Sequence, residues 1–411
     1  MANVSSSNSL EENVPKLRFP EFEGEWEEHK ISDFLSESKI IGHNGKEAKK
    51  LTIKLWAKGV VEKKTIFDGS IQTQYYIRKS GQLVYGKLDF LNCAFGIVPP
   101  ELDGYETTSD APAFDILNIN SQFLLNRIIQ PSFYKKNGEK ANGSRKAKRI
   151  HPDTFLAMPI FVPPILEQEK IATFIMLLDK KIELQKELIE FLKLYKRGVL
   201  GAIYEQKIRF KDESGLQYPD WSKTTIGKLF NERNERTIGG ENLLAVTINN
   251  GVQKKENIDG KDISSDDKSN YKRVLINDIA YNTMRMWQGA SGISQYCGIV
   301  SPAYTVITPN DTLLVDSNFY AYYFKLPSMV NTFEKYSQGL TSDTWNLKYQ
   351  QLSHIPIYLP CLEEQRRAVS FLASFDICIK KADNKFNQMI NIKKYLLQRE
   401  FEIFSVNSVL L

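Results

Sequence analysis

Apolar residues recur every seven positions along two long stretches of the chain. In one, Ile175, Ile182, Ile189, Lys196 and Ile203 hold one heptad position, and Ile171, Leu178, Gln185, Leu192 and Val199 hold the other. In the second, Leu372, Ile379, Phe386 and Lys393 alternate with Ala368, Phe375, Ala382, Met389 and Leu396. A seam kept over so many heptads predicts helices that pair with helices. A helix from about Leu166 to Gln206, at about 1.5 Å per residue, is on the order of 60 Å long, more than a domain of this size needs. The pattern predicts a coiled coil of the two helices serving as a spacer; the alternative is a helix packed over its own domain. Both helices carry lysine at the same a position, Lys196 and Lys393, which implies matching jobs.

Between the seams the texture changes to short β-branched and aromatic runs broken by Gly, Asn and Asp. LTIKLW, TQYYIRKSGQLVYGKL and NCAFGIV stand in the first half, and LLAVTI, DIAYNTMRMW and GIVSPAYTVI in the second. These predict strands and turns of an α+β domain in each half.

The halves echo each other. PIFVPPILEQEKIATF and PIYLPCLEEQRRAVSF align without gaps at an offset of 197 residues, pairing Pro159 with Pro356, Glu167 with Glu364, Gln168 with Gln365, Asp179 with Asp376 and Lys196 with Lys393. Upstream, GEWEEHKISDFLSE matches PDWSKTTIGKLFNE at an offset of 195, through Trp26 and Trp221. A weaker echo pairs Pro112, Ala113 and Phe114 with Pro302, Ala303 and Tyr304. Such a repeat predicts a pseudo-symmetric monomer. The expected division is a disordered tail over 1–14, mixed domains over 15–162 and 208–358, a central helix over 163–207 and a C-terminal helix over 359–411.

A chain of 411 residues, 42% hydrophobic, is long enough for two or three cores. The first residues show no basic and apolar leader pattern, and the longest apolar run, 157–166, contains three prolines, so a cytoplasmic protein with no membrane segment is expected. Cys93, Cys297, Cys361 and Cys378 have no metal-ligand spacing and are expected to be reduced and buried.

The net charge of +5 is compatible with a nucleic-acid partner without specifying one. Its local concentration is more informative. Residues 135–149, KKNGEKANGSRKAKR, hold Lys135, Lys136, Lys140, Arg145, Lys146, Lys148 and Arg149 against one acid, Glu139. Gly and Asn favour a loop here, able to follow a phosphate backbone, with Asn142 and Ser144 adding hydrogen bonds. At the matching place the second half has QGLTSDTWNLKYQ, offering Thr, Ser and Trp instead, among them Thr341 and Thr344. The second half's candidate reader is YNTMRMWQGASG, in which Asn282, Arg285 and Gln288 suit bidentate bonding to purine edges, flanked by Trp287 and Ser291. The corresponding first-half stretch, YGKLDFLN, supplies Lys87 and Asn92. A solvated loop and a strand edge whose aromatics are core are the alternatives.

Candidate chemistry is sparse. There is no GxGxxG or GxxxxGK[ST] loop, and His29, His43, His151 and His354 are scattered without HxH or HExxH spacing. A carboxylate-lysine nuclease pattern can be traced through Pro219, Asp220, Asp266 and Lys268, but it fits equally through Pro152, Asp153, Asp179 and Lys181, two of them on a coiled-coil helix.

With these features assembled, the sequence from Pro15 onward resembles the specificity subunit of type I restriction-modification systems. The duplicated strand-and-helix segments, LRFPEFEGEW and LQYPDW, and YNTMRMWQGASG with GIVSPAY carry the likeness. The resemblance implies two target-recognition domains separated by two long helices that pair as an antiparallel coiled coil, each domain reading one part of a bipartite sequence in double-stranded DNA. It implies docking with two modification (methyltransferase) subunits and with restriction (translocase/nuclease) subunits. It further implies a chain non-catalytic by itself and without a cofactor, with S-adenosylmethionine, ATP and Mg²⁺ on the partner subunits. A stand-alone metal-dependent nuclease and a duplicated protein-binding scaffold are the alternatives.

Overall fold

The computed structural model describes residues 13–64, 69–139, 143–144, 147–258, 264 and 266–400. The expected tail, 1–14, lies outside them except for its last two residues. The chain forms two units, residues 1–185 with 385–411 and residues 186–384. Each long helix is divided between them: Ile165–Tyr204 starts in the first unit and ends in the second, and Leu362–Glu400 does the reverse.

The first unit is built on a four-stranded antiparallel sheet in the order Leu35–Ser38, Ala113–Ile116, Leu83–Tyr85, Phe95–Ile97. Its strand Leu83–Tyr85 is buried on both faces. Leu83 and Tyr85 point into an aromatic core with Phe90, Phe95, Phe114 and Phe155, and Val84 points to a smaller cluster with Leu51, Val60 and Val98. The period-2 geometry of a strand explains the split, and double coverage explains why LVY reads as an unbroken apolar run. Tyr85 stacks on Phe114 with centroids 5.8 Å apart, and its hydroxyl donates to the Ile150 carbonyl at 3.0 Å. Helices Ser121–Ile128 and Pro131–Gly138 cover the aromatic face. The first is capped by the Asn120 side chain, which accepts from Gln122 and Phe123, and the second opens with proline.

The second unit repeats this plan. Its sheet runs Phe230–Glu232, Tyr304–Pro309, Ile279–Asn282, Ser291–Ile293. Ile279 and Tyr281 face the large core and Ala280 a second cluster with Leu244, Val246 and Val306. Helices Ser317–Tyr323 and Pro327–Tyr336 follow, capped by Asp316 and opened by Pro327. The Trp-proximal strands also correspond: Glu27 pairs with Val162 in the first unit and Ser222 with Leu359 in the second.

The weakest echo is corrected by the register. Ala113 pairs with Val84, and Ala280, the equivalent of Val84, pairs with Val306. Ala113 therefore corresponds to Val306 and not to Ala303, because the loops before the two strands differ in length.

The heptad seams bury as their pattern requires. Ile171, Ile175, Ile182, Ile189, Val199 and Ile203 are buried, as are Ala368, Leu372, Ala382 and Met389. In the first unit Lys393 pairs with Asp179 and Leu397 packs against the core that holds Ile171 and Ile175, so the two helix segments run antiparallel. In the second unit Lys196 meets Asp376 at 2.5 Å, and the Tyr322 hydroxyl donates to the same carboxylate at 2.6 Å. The two ion pairs are copies of each other, which accounts for lysine at the same seam position in both helices.

Two further expectations are corrected. Of the four cysteines only Cys93 is buried; Cys361 is intermediate, and Cys297 and Cys378 are exposed, the last on the outer side of its helix. The basic run does not begin as a loop: helix Pro131–Gly138 extends through Lys135 and Lys136. Its Asn137 and Gly138 are buried, and Gly138 lies so close to Leu91 that an added Cβ would stand 2.6 Å from that side chain.

Candidate nucleic-acid interface

The repeated Glu-Gln dipeptide is the anchor of each unit. Glu167 and Glu364 are fully buried. Arg18 holds Glu167 through Nε at 2.8 Å and Nη2 at 2.7 Å, and Arg209 holds Glu364 at 2.8 and 3.1 Å. The indoles of Trp26 and Trp221 donate to the same carboxylates at 3.3 and 2.8 Å. The bidentate arginine and the indole supply what a buried carboxylate needs, and the bond to Glu364 raises the pKa of Arg209 further. Phe19 meets Phe174 edge-on, and Phe210 meets Phe371 in the same way.

The neighbouring glutamines pass this anchoring on. Gln168 Oε1 accepts the Asn120 N–H and Gln365 Oε1 the Asp316 N–H, each at 2.9 Å. Asn120 and Asp316 are the helix caps described above, so the frame fixes the start of the helix that leads towards the candidate reader. The arginines escaped the sequence alignment. Leu17-Arg18-Phe19 and Ile208-Arg209-Phe210 lie 191 residues apart, and the tryptophans 195, so no ungapped match contains both.

Each unit presents a turn and a hairpin side by side. In the second, strand Ile279–Asn282 passes through the 3-10 turn Met286–Gln288 into Ser291–Ile293. In the first, Leu83–Tyr85 passes through Phe90–Asn92 into Phe95–Ile97. Both turns close on a left-handed residue, Gly289 at φ +80 and Cys93 at φ +52. The Leu347 N–H donates to the Thr283 carbonyl at 2.9 Å, as the Ile150 N–H does to Lys87 at 3.1 Å. These bonds fasten to each turn the segment that carries the Thr-rich loop or the basic run.

The sequence candidates are distributed as follows. Arg285 is exposed, Trp287 and Gln288 are half-buried, and the Asn282 side chain accepts the Met284 N–H at 3.0 Å. The Trp287 indole donates to the Met284 carbonyl and its ring stands edge-on to Trp345, with centroids 5.2 Å apart. Thr341 and Thr344 are exposed in the adjoining loop. Ser291 is corrected: at 1% exposure it belongs to the sheet interior and is not presented to a ligand. In the first unit Lys87 is half-buried, Asn92 donates to Asp89 at 3.1 Å, Lys135 and Lys136 are exposed, and Arg149 pairs with Asp110 at 3.1 Å. The strands Gly143–Ser144 and Ala147–Lys148 form a small hairpin. Lys140, Asn142, Arg145 and Lys146 lie outside the described residues, as do the side chains of Ser144 and Lys148.

Beside Lys87 is a cleft of about 310 Å³ lined by Glu37, Lys39, Tyr76, Arg78, His151 and Asp153. Arg78 donates to Thr107 and to the carbonyls of Ser38 and Ala111, and burial lowers its pKa to about 10. These bonds make Arg78 a strut of the wall. Two of the four acids of the traced nuclease patterns are engaged in the frame, Asp179 with Lys393 and Asp220 with Arg209 at 3.5 Å, while Asp153 lines the cleft. Among the described residues no group of three or more His, Cys, Asp and Glu side chains is placed to hold a metal ion.

Lys325 ties the second unit's turn to its neighbours. Its Nζ donates to the Gly289 carbonyl at 2.7 Å and to the Ile248 carbonyl at 2.9 Å. Burial lowers its pKa from 10.5 to about 8. The unfolded chain therefore holds more protons between these values, and this group's contribution to stability rises as pH rises from about 8 towards 10.5. At about 1.36 kcal/mol per unit the ceiling is roughly 3 kcal/mol, and residual water contact reduces it to about 1 to 2. Urea unfolding of wild type and Lys325→Met is expected to show the wild type gaining on the variant by that amount between pH 7.5 and 10.

Residues 220–391 match the family model for the type I restriction modification DNA specificity domain. Over these residues the chain is thus similar to a type I restriction modification DNA specificity domain. The match starts beside strand Ser222–Thr225 and ends in the second long helix. Among solved structures, the HsdS subunit from Thermoanaerobacter tengcongensis is similar over 92% of this chain and 96% of its own, at 15% identity and TM-score 0.50. The S subunit of a type I restriction-modification system from M. genitalium is similar over 95% and 100%, at 12% identity and TM-score 0.51. A chain from work on complex assembly and conformational transition of the type I R-M system is similar over 92% and 97%, at 13% identity and TM-score 0.57. At these identities the likeness concerns the fold, and it extends across both units. No helix among the described residues is long and apolar enough to cross a membrane.

Proposed function

We propose that each unit reads one half of a bipartite sequence in double-stranded DNA, with the turn and hairpin as the reading surface. The chain docks two modification subunits and, where present, restriction subunits, and performs no catalysis itself. S-adenosylmethionine, ATP and Mg²⁺ act on those partners, and work on chromosomal DNA places the assembly in the cytoplasm. The observation that carries this reading is the repetition of one frame with different side chains beside the turn: Lys135, Lys136 and Arg149 in the first unit, and Arg285, Gln288, Thr341 and Thr344 in the second. Phosphate-directed cations and base-edge donors are complementary means of holding and reading a duplex.

The test is methylation. The purified chain with S-adenosylmethionine is expected to leave DNA unmodified, and addition of the modification subunits is expected to give adenine methylation at one bipartite sequence, read by sequencing the modified sites in a genome. Methyl transfer by the chain alone, or modification at an undivided site, would overturn the proposal.

A further inference from the structure

The loop over residues 338–346 of the second unit holds an apolar side chain out into solvent on a locked support. Leu340 is 100% exposed at its tip. Gln338 and Asn346 close the loop with reciprocal backbone hydrogen bonds of 3.0 and 2.8 Å. Inside it, the Thr344 and Trp345 N–H groups donate to the Thr341 carbonyl, and the Thr344 hydroxyl accepts the Thr341 N–H at 3.1 Å. Gly339 has φ +147, and a Cβ there would stand 2.6 Å from the Thr344 carbonyl oxygen, so only glycine fits. At the loop's base, Trp345 packs edge-on against Trp287 of the turn.

A single exposed leucine is ordinary on a mobile loop. Here it is held by five backbone and side-chain bonds on a loop whose base packs, through Trp345 on Trp287, against the turn that carries Arg285 and Gln288, at the place where the first unit's sequence carries its basic run. Resting on the DNA-recognition reading above, we infer that Leu340 is a base contact, packing on the 5-methyl group of a thymine in the half-site read by the second unit. On an undeformed duplex the thymine methyl is the apolar group that the major groove offers at a base edge. The polar residues beside Leu340 suit the same groove, whereas wedging between base pairs would require unstacking.

The experiment uses the full complex with modification subunits and duplexes in which each thymine of that half-site is replaced in turn by deoxyuridine. One replacement is expected to weaken wild-type binding about tenfold, at the low end of the cost of an altered base pair. Leu340→Ala is expected to bind the unmodified duplex about tenfold more weakly and to be indifferent to that replacement. Its salt dependence should match wild type, since no phosphate contact is lost, and full exposure should leave its melting temperature unchanged. Wild-type affinity in Leu340→Ala, a half-site with no sensitive thymine, or a defect in assembly with the modification subunits in place of DNA binding would each overturn the inference. Failure of the wild-type complex to bind any duplex would instead count against the DNA-recognition reading itself.

Discussion

Replacing Glu364 by Ala is expected to cost the second unit about 3 to 5 kcal/mol, the range for removing one partner of a buried ion pair. The carboxylate is fully buried and accepts from Arg209 twice and from Trp221 once. Its loss leaves a guanidinium and an indole N–H facing a cavity. Arg209 keeps its bonds to the carbonyls of Tyr218 and Pro219, and its side chain is 15% exposed, so the lower end of the range is the more realistic. Glu364→Gln retains the shape and one acceptor, and should cost about 1 to 3 kcal/mol. The double variant Glu364→Ala with Arg209→Ala should fall short of the sum of its parts, because the second change removes the stranded charge. Hydrogen exchange resolved by segment is the measurement: protection should drop over residues 186–384, and Glu167→Ala should produce the mirror result in the first unit. Unchanged protection in Glu364→Ala would show that the anchor does not hold the frame.

The same anchor shows which parts of the architecture were readable beforehand. Glu364 and Gln365 stood out because they recur at a constant offset within a gapless segment. Their partners Arg18 and Arg209 did not, since the chain between arginine and tryptophan differs in length in the two halves. The seams were legible because helix pairing imposes a seven-residue period on residue type. That period also exposed Lys196 and Lys393, although only the structure supplies the reason, Asp376 and Asp179. Strands buried on both faces, such as Leu83–Tyr85, gave apolar runs that mark a strand without indicating which residue faces which core.

Errors fell where tertiary packing overrides local preference. Asn137 and Gly138 read as helix breakers, yet they continue the helix because the close approach to Leu91 requires a residue without a side chain. Ser291 read as a groove contact because it sits beside polar candidates, but its strand position turns it inward. Trp345 read only as one of the side chains this loop offers, and Leu340 gave no signal of its own. A tryptophan and a leucine in a polar loop acquire meaning only when the loop is seen closed and seated on Trp287. The frame residues are alike in the two halves and those of the turn and loop differ, so repetition locates the frame and is silent about what the turn and loop contact.

The helices offer the other large effect. Adding one heptad to each, after Gln185 and after Ala382, keeps every seam residue in phase. It also leaves both interhelical ion pairs intact, because Asp179 with Lys393 and Lys196 with Asp376 each lie within one unit. The helix pair lengthens by about 10.5 Å, at about 1.5 Å per residue. At about 3.4 Å per base pair that corresponds to roughly three base pairs, and the second half-site turns by nearly a third of a helical turn, at roughly ten base pairs per turn. Binding at the original gap is therefore expected to be lost, with a longer gap recovered only as far as the duplex can untwist or the readers can swivel. Band-shift titration of the complex against duplexes differing only in gap length reads this directly. An extension in one helix alone should fail at every gap, since it forces seven residues out of the pairing. Retention of the original gap by the doubly lengthened protein would mean that the coiled coil does not set the spacing between half-sites.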